Sequence, residues 1–181
     1  MPLTTYTAGE VLTAASLNAN FTFAAANPTA PAQAIFREEQ ASGTYGGTAT
    51  NGSFATRVLN TTVVNNITGC SLASSQVTLA AGTYFVSGLT PAYGGTGASQ
   101  CRIYNITDSA AIGYGTSNPS GTGAAQSGSI SVIQYYFTLA ASKTIALQMR
   151  VTDTVATDGL GARTNWGNVE VYSQLTITKV A

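Results

Sequence analysis

From Ala34 onwards, apolar and polar residues alternate with a period of two, the pattern of β-strands that are buried on one face. The segment KTIALQMRV is the clearest case, because Ile145, Leu147, Met149 and Val151 alternate with small or polar residues. Turn-forming residues separate such segments every ~8–12 positions. The pattern predicts about eight to ten short strands in an all-β antiparallel fold, as expected of a sandwich or a jelly roll.

The same alternation predicts which side chains share a face in other strands. In AQAIFREEQ, Glu38 and Glu39 are adjacent and should point to opposite faces. Two further predicted faces are Ile133, Tyr135, Phe137 and Leu139 in one strand, and Val169, Val171, Leu175 and Ile177 in the last strand, where Ser173 interrupts.

Residues 8–26 have a helical pattern instead. Ala14, Leu17, Phe21 and Ala24 are spaced three, four and three residues apart, and Thr13 is a suitable N-cap. Prolines at positions 28 and 31 end the helix. A helix this short needs a partner, which is either further copies, a socket on another protein, or its own domain. We therefore predict two parts, residues 1–31 with a short helix and a β head over residues 32–181.

Composition excludes several classes of partner. Only 8% of the 181 residues are charged and the net charge is zero, against about 25% charged residues in a typical domain. The seven basic residues form no run, so we expect no nucleic-acid binding. We see no signal peptide and no apolar stretch long enough to span a bilayer. The expectation is a protein made in a cytoplasm, without membrane insertion, that stays there or leaves by a route such as virion release.

The sequence offers little catalytic chemistry. It contains no His, which excludes a Ser-His-Asp or Cys-His site and makes a zinc site improbable. Asp153 and Asp158 share one loop, where they are turn residues or, as the weaker alternative, calcium ligands. Cys70 and Cys101 are either free thiols or a disulfide formed after release. We expect no enzyme activity and no cofactor.

Aromatic residues in loops are the better candidates for a site, because sugar sites combine aromatic platforms with hydrogen-bonding side chains. The candidate ligand-binding residues are Tyr93, Tyr114, Arg163, Asn165 and Trp166. The alternative for Trp166 is a residue packed at the end of a strand. Tyr104, Tyr135 and Tyr136 lie in strands and are expected in the core or at an oligomer axis. Arg102 and Arg150 could face solvent or line a subunit contact, paired with Glu38, Glu39 or Glu170.

Two sets of motifs resemble bacteriophage proteins. TYTAGEVLTAASLNANF is similar to the N-terminal segment of many phage tail-fibre and virion appendage proteins. The segments FREEQASGTYGGT, TRVLNTTVVN, SLASSQVTLAAGTYFVSG, RIYNITD, FTLAASKTIALQMRV and EVYSQLTITK resemble the C-terminal heads of phage fibres. The sequence pattern of LAAGTYFVSG, followed later by LAASKTIALQ, is also similar to that of trimeric jelly rolls of the complement-head and tumour-necrosis-factor type.

This resemblance implies a homotrimeric head and a segment that anchors the protein to another virion protein of the tail, neck or capsid. The residues that match the N-terminal motif are Gly9, Glu10, Val11, Leu12, Thr13, Ala14, Leu17, Asn18 and Phe21. Of these, Val11, Leu12, Leu17, Asn18 and Phe21 would anchor the protein. Unlike longer fibres, the chain has no extended shaft between the two parts.

The leading hypothesis is therefore a virion appendage, assembled in the host cytoplasm, that displays a trimeric head for attachment to host-surface polysaccharide. One alternative is a capsid or neck decoration protein without a receptor. The other is a sugar-binding adhesion module encoded by a host or prophage.

Overall fold

The structure is a computed structural model that describes residues 5–11, 13–26, 31–119 and 128–180. It divides into two compact units, Met1–Pro31 and Ala32–Ala181. The first contains helix α1 (Ala14–Ala26). Thr13 caps this helix, because its hydroxyl accepts a hydrogen bond from the backbone N–H of Ser16 at 3.2 Å. In the described part of the chain, no helix is long and apolar enough to cross a membrane.

The second unit is built from antiparallel strands. They are β1 (Gln33–Gln40), β2 (Ala55–Thr56), β3 (Thr61–Asn65), β4 (Ser71–Ala73), β5 (Gln76–Leu79), β6 (Gly82–Ala92), β7 (Ala98–Asn105), β8 (Ala110–Pro119), β9 (Ser129–Leu139), β10 (Lys143–Val151) and β11 (Glu170–Lys179). The prediction of an all-β antiparallel fold is confirmed, with eleven strands in the described residues rather than about eight to ten.

The strands form two sheets. The order β3-β1-β11-β6-β9 makes a five-stranded sheet, and β4-β5-β10-β7-β8 makes the other, with β2 paired to β10. We call the first the inner sheet and the second the outer sheet. Along one side, edge strands β8 and β9 are joined by side chains. Ser131 Oγ donates to the carbonyl oxygen of Thr116 at 2.5 Å, and the N–H of Val132 donates to Thr116 Oγ1 at 3.0 Å.

The core lies between the sheets, where alternate side chains of both are buried. The predicted face of β10 is confirmed, since Ile145, Leu147, Met149 and Val151 are all buried. The opposite orientation of two neighbouring acids in β1 is confirmed as well, with Glu38 buried and its neighbour partly exposed.

Two predicted faces were partly wrong. In β11, Leu175 is buried but Val171 is 42% exposed. The pairing of β1 with β11 shifts register between Arg37 and Glu39. This irregularity reverses the alternation, because an extra residue turns the following side chains to the other face.

The remaining differences concern single residues. Val169, which precedes β11, is exposed, and Ser173 is buried, where its hydroxyl donates to the carbonyl oxygen of Val58 at 2.7 Å. In β9, Ile133 is buried as predicted, but Tyr135 is exposed. Its ring covers Gly113, where a Cβ would lie 2.8 Å from the Tyr135 ring.

The two ends of the head are defined by the pairing of β1 with β11. Gln33 pairs with Thr178, and Gln40 pairs with Glu170. The chain therefore enters the head at Ala32 and leaves it after Lys179 at one end, which we call the terminal end. The loops that follow β6 and precede β11 lie at the other end, which we call the loop end. The length of β1 separates the two ends by about 26 Å.

Candidate functional site

Glu170 organises the loop end of the head. Its buried carboxylate accepts hydrogen bonds from the backbone N–H groups of Asn165 at 2.8 Å, Gly43 at 3.1 Å and Thr164 at 3.1 Å, and from the Thr164 hydroxyl at 3.1 Å. These hydrogen bonds, above all those from the Thr164 and Asn165 backbones, lower the pKa of Glu170 to about 2. The charged carboxylate thus joins the loop before β11 to the loop after β1.

Arg163 and Tyr45 form a rigid pair beside this carboxylate. The Arg163 guanidinium lies 4.4 Å from the Tyr45 ring centroid and donates to the carbonyl oxygen of Gly43 at 3.0 Å. Asn165 has a positive φ of 56°, which turns the loop sharply. The following Trp166 is 80% exposed. The indole is therefore presented to solvent by a loop whose backbone is fixed on both sides, and it is not packed at a strand end.

A cleft of about 440 Å³ opens at the same end, between the end of β6 and the start of β9 and β11. Its lining includes Tyr93, Ile130, Thr164, Glu170, Val171 and Tyr172. The backbone N–H of Tyr93 donates to the carbonyl oxygen of Gly159 at 3.0 Å, which fixes the base of its side chain. The volume lies in the range of small-molecule sites.

Four of the five predicted ligand-binding residues therefore lie at the loop end, namely Tyr93, Arg163, Asn165 and Trp166. Tyr93 lines the cleft, and the other three lie within two positions of Thr164, which lines it as well. Whether they bind a ligand stays a prediction. Sequence reasoning missed Glu170 and Tyr45, because nothing in the sequence shows that residues so far apart meet.

Tyr114 does not join this group. It lies on β8, is 56% exposed, and its ring centroid is 6.0 Å from that of Phe54. Its neighbour across the strands is Arg102, with which it is paired in the register of β7 and β8. The structure therefore separates Tyr114 from the predicted platform and places it on the outer sheet.

The other predicted sites have less structural support. In the described residues, no group of three or more His, Cys, Asp or Glu side chains could hold a metal ion, so Asp153 and Asp158 gain no further ligand of these types. Cys70 and Cys101 are both free thiols, so the structure does not support the Cys70–Cys101 disulfide. Burial raises the pKa of both thiols, that of Cys70 to about 11, which suppresses the reactive thiolate.

The predicted anchoring residues are described only in part. Val11 is 82% exposed and Leu17 is 36% exposed, so both side chains are open to a partner. Asn18 is exposed on α1. Leu12 and the side chain of Phe21 lie outside the described residues.

Strands β6 and β9 of the inner sheet have an uncharged outward surface, which we call the apolar face. It consists of Phe85, Leu89, Ile130, Val132 and Tyr136. Cross-strand pairs join these residues, since Phe85 pairs with Tyr136 and Leu89 pairs with Val132. The Phe85 and Tyr136 ring centroids are 4.7 Å apart. Strands β6 and β9 contain no charged residue. Tyr136 and Ile130 are well exposed on this face, as apolar side chains are on surfaces that contact other proteins.

Comparisons with known proteins identify the fold. Two crystal structures of murine APRIL, at pH 8.0 and pH 8.5, match with TM-scores of 0.53 and 0.51 at 8% sequence identity, and cover 82% of this chain and 98% and 99% of theirs. The globular domain of zebrafish complement 1qA protein covers 83% of this chain and 98% of its own, at 11% identity and a TM-score of 0.49. No family model and no curated protein matches the sequence.

The head therefore has a jelly-roll fold similar to that of murine APRIL, and the jelly roll that the resemblance implied is confirmed. At 8% identity this likeness concerns the fold alone.

Proposed function

We propose that this protein is a virion appendage, anchored through residues 1–31, with a homotrimeric head that binds host-surface glycans at its loop end. The observation that carries this proposal is that the chain entry and the candidate site lie at opposite ends of the head. The chain enters the head at Ala32 at the terminal end, whereas Trp166, Arg163 and the cleft beside Tyr93 lie at the loop end. A protein held by its N-terminal segment would present the loop end away from its attachment point.

The apolar face supports assembly into a trimer. Copies of the same chain would cover Phe85, Leu89, Ile130, Val132 and Tyr136, whose exposure to water is unfavourable. Because β6 and β9 lack charges, burial of this face would bring no desolvation cost for an ion. Three identical heads would place three loop ends on one particle, so that weak individual sites would act together.

The loop end supports glycan binding through its combination of chemical groups. Trp166 offers an exposed ring for the apolar face of a sugar, and Arg163, Asn165 and Thr164 offer donors and acceptors around it. The Glu170 hydrogen bonds fix the loop in advance, which lowers the entropic cost of binding.

Binding of the labelled full-length protein to candidate host bacteria tests this proposal, with the mass in solution measured by light scattering on the same sample. We expect a trimer that saturates cells and blocks phage adsorption. Trp166→Ala should abolish cell binding, whereas Val180→Ala, an exposed apolar residue at the terminal end, should leave it unchanged. A trimer that binds no cells would favour the decoration protein, and a monomer would contradict the trimeric head.

The anchoring role has its own test. Val11→Asp places a charge on an exposed side chain of the N-terminal unit. We expect this variant to remain trimeric and to bind cells, but to be missing from assembled particles. Normal incorporation into particles would contradict the role of this segment.

A further inference from the structure

The outward surface of the outer sheet carries two arginines that have no counter-charge among the residues that the structure describes. None of the six strands β2, β4, β5, β7, β8 and β10 contains Asp or Glu. Lys143 is neutralised by Asp108, at an Nζ–Oδ1 distance of 2.6 Å. Arg102 and Arg150 have no ion-pair partner among the described residues. Anionic ligands would therefore find an unopposed positive charge here.

Arg102 is held in a fixed orientation. Its guanidinium carbon lies 4.1 Å from the ring centroid of Phe54 and 4.2 Å from that of Tyr104, and its Nε donates to Gln148 Oε1 at 2.8 Å. Gln148 is buried and its amide also contacts Thr56 Oγ1 at 3.3 Å. These contacts use Nε alone, so the two terminal nitrogens remain available as a planar fork that matches a carboxylate.

The register of the strands arranges polar side chains around this fork. Gln148, Arg102 and Tyr114 form one row across β10, β7 and β8, and Arg150, Gln100 and Ser117 form the next. We call Gln100, Arg102, Tyr114, Gln148 and Arg150 the outer-sheet cluster. The two arginines are diagonal neighbours, about 7–8 Å apart at the backbone. A pocket of about 180 Å³, lined in part by Gln100, Ser117 and Arg150, lies beside them.

We propose that the outer-sheet cluster is a second binding site, specific for carboxylate-bearing saccharides such as uronic-acid polymers. Arg102 binds one carboxylate in a bidentate manner, the exposed ring of Tyr114 supports the sugar ring, and Arg150 attracts a second carboxylate along the chain. Amides and hydroxyls nearby suit sugar hydroxyl groups. Nucleic acid fits less well, because two free arginines neutralise few phosphates and the net charge of the chain is zero.

This inference does not depend on the proposed glycan site at the loop end. The cluster belongs to the outer sheet and borders the apolar face at Tyr114, which lines a pocket with Val132. Assembly through the apolar face therefore leaves Arg102 and Arg150 open. It also uses Tyr114, which the structure separates from the loop-end residues.

Isothermal titration of the full-length protein with oligogalacturonate, and with the same oligosaccharide after reduction of its carboxyl groups, tests the proposal. We expect binding of the acidic form only, weakened by added salt. Arg102→Gln should reduce affinity by about tenfold or more, because it removes a charge-assisted hydrogen-bonded pair. Arg102→Lys should bind less tightly than the wild type, since it keeps the charge and loses the fork.

Two control variants separate binding at the outer-sheet cluster from binding elsewhere on the head. Lys143→Gln removes a charge of the same sheet that is already paired, and should not change affinity. Trp166→Ala should likewise have no effect, whereas it should abolish cell binding through the loop end. Should Arg102→Gln fail to fold, Arg150→Gln tests the same prediction at an exposed, unpaired side chain.

Three results would overturn the proposal. They are equal binding of the acidic and the reduced oligosaccharide, unchanged affinity in both Arg102→Gln and Arg150→Gln, and displacement of oligogalacturonate by an equally charged single-stranded oligonucleotide with the same affinity. The last result would indicate a patch that attracts any polyanion.

Discussion

Glu38 and Arg57 form an ion pair in the interior of the head, and its removal tests how strongly the core depends on it. Arg57 Nη2 and Glu38 Oε2 are 3.3 Å apart, and each side chain is only 1% exposed. Burial lowers the pKa of Arg57 only to about 10, so Arg57 stays charged at neutral pH. Its Nε and Nη1 have no hydrogen-bond partner among the described residues. Arg57 therefore relies on Glu38 for charge compensation.

The substitution Glu38→Gln keeps the size of the side chain and removes its charge. Loss of one member of a buried ion pair costs about 3–5 kcal/mol, a large part of the ~5–15 kcal/mol by which domains are stable. Urea unfolding followed by fluorescence measures this loss. The protein concentration must be kept constant, because assembly makes apparent stability depend on it.

Glu39→Gln is the matched control, since it changes the next residue of the same strand. Glu39 pairs with Arg37, and both side chains are partly exposed, so its loss should cost about 1 kcal/mol or less. If Glu38→Gln destabilises the head by no more than this control, the charge of Arg57 is compensated in another way and the reasoning is wrong. Replacing both partners, by Glu38→Leu with Arg57→Met, should recover most of the loss.

The pH dependence of Arg57→Met gives an independent check. Burial already raises the pKa of Glu38 above its usual 4.5, although Arg57 opposes the shift. Without Arg57, the folded state favours protonated Glu38 more strongly. Stability from this group is then present below pH 4.5 and is lost as the pH rises through the folded pKa. The variant should therefore be more stable near pH 4.5 than at neutral pH, relative to the wild type.

Three further predictions concern the apolar face, the loop end and the seam between the sheets. Tyr136→Asp should dissociate the proposed trimer in light scattering, whereas Arg150→Asp, at an exposed position of the outer sheet, should not; a trimeric Tyr136→Asp variant would exclude the apolar face as the contact. Glu170→Gln should make the loop at 152–169 sensitive to protease at neutral pH. In the wild type, charged Glu170 stabilises the fold above pH 4.5, and this stabilisation is lost as the pH falls through its folded-state pKa of about 2. Glu170→Gln should remove this contribution. Gly115→Ala should lower the urea midpoint, because the added Cβ would overlap Cys101 Sγ and lie 2.6 Å from the Val132 carbonyl oxygen; an unchanged midpoint would show that the strands adjust there.

Much of the fold could be predicted because alternation along a strand directly reports burial. The faces of β10 and the N-cap at Thr13 are local features, and the structure bears them out. The reversal at Val171 could not be predicted, because it depends on an irregular register between β1 and β11. The burial of Arg57 could not be predicted from the sequence either, because its partner Glu38 lies in another strand, 19 residues earlier in the chain.

The candidate sites show the same division between local and long-range information. Trp166 and Arg163 are close in sequence, so their shared loop could be recognised. Their fixation depends on Glu170, whose hydrogen bond to Gly43 spans 127 residues. The outer-sheet cluster was not predicted as a site either, because Arg102 meets Phe54 and Gln148 only through the sheet.

The entry of the chain at Ala32 has a mechanical consequence for a head that is held at one end and loaded at the other. Ala32 and Lys179 are joined by a backbone hydrogen bond of 2.8 Å at the terminal end. A pull between Ala32 and the loop end runs along β1 and β11, perpendicular to the hydrogen bonds between them. The hydrogen bonds between β1 and β11 then bear the load together, in shear, and do not break one after another. The pairing of β1 with β11 thus makes the head resistant to tension along these two strands.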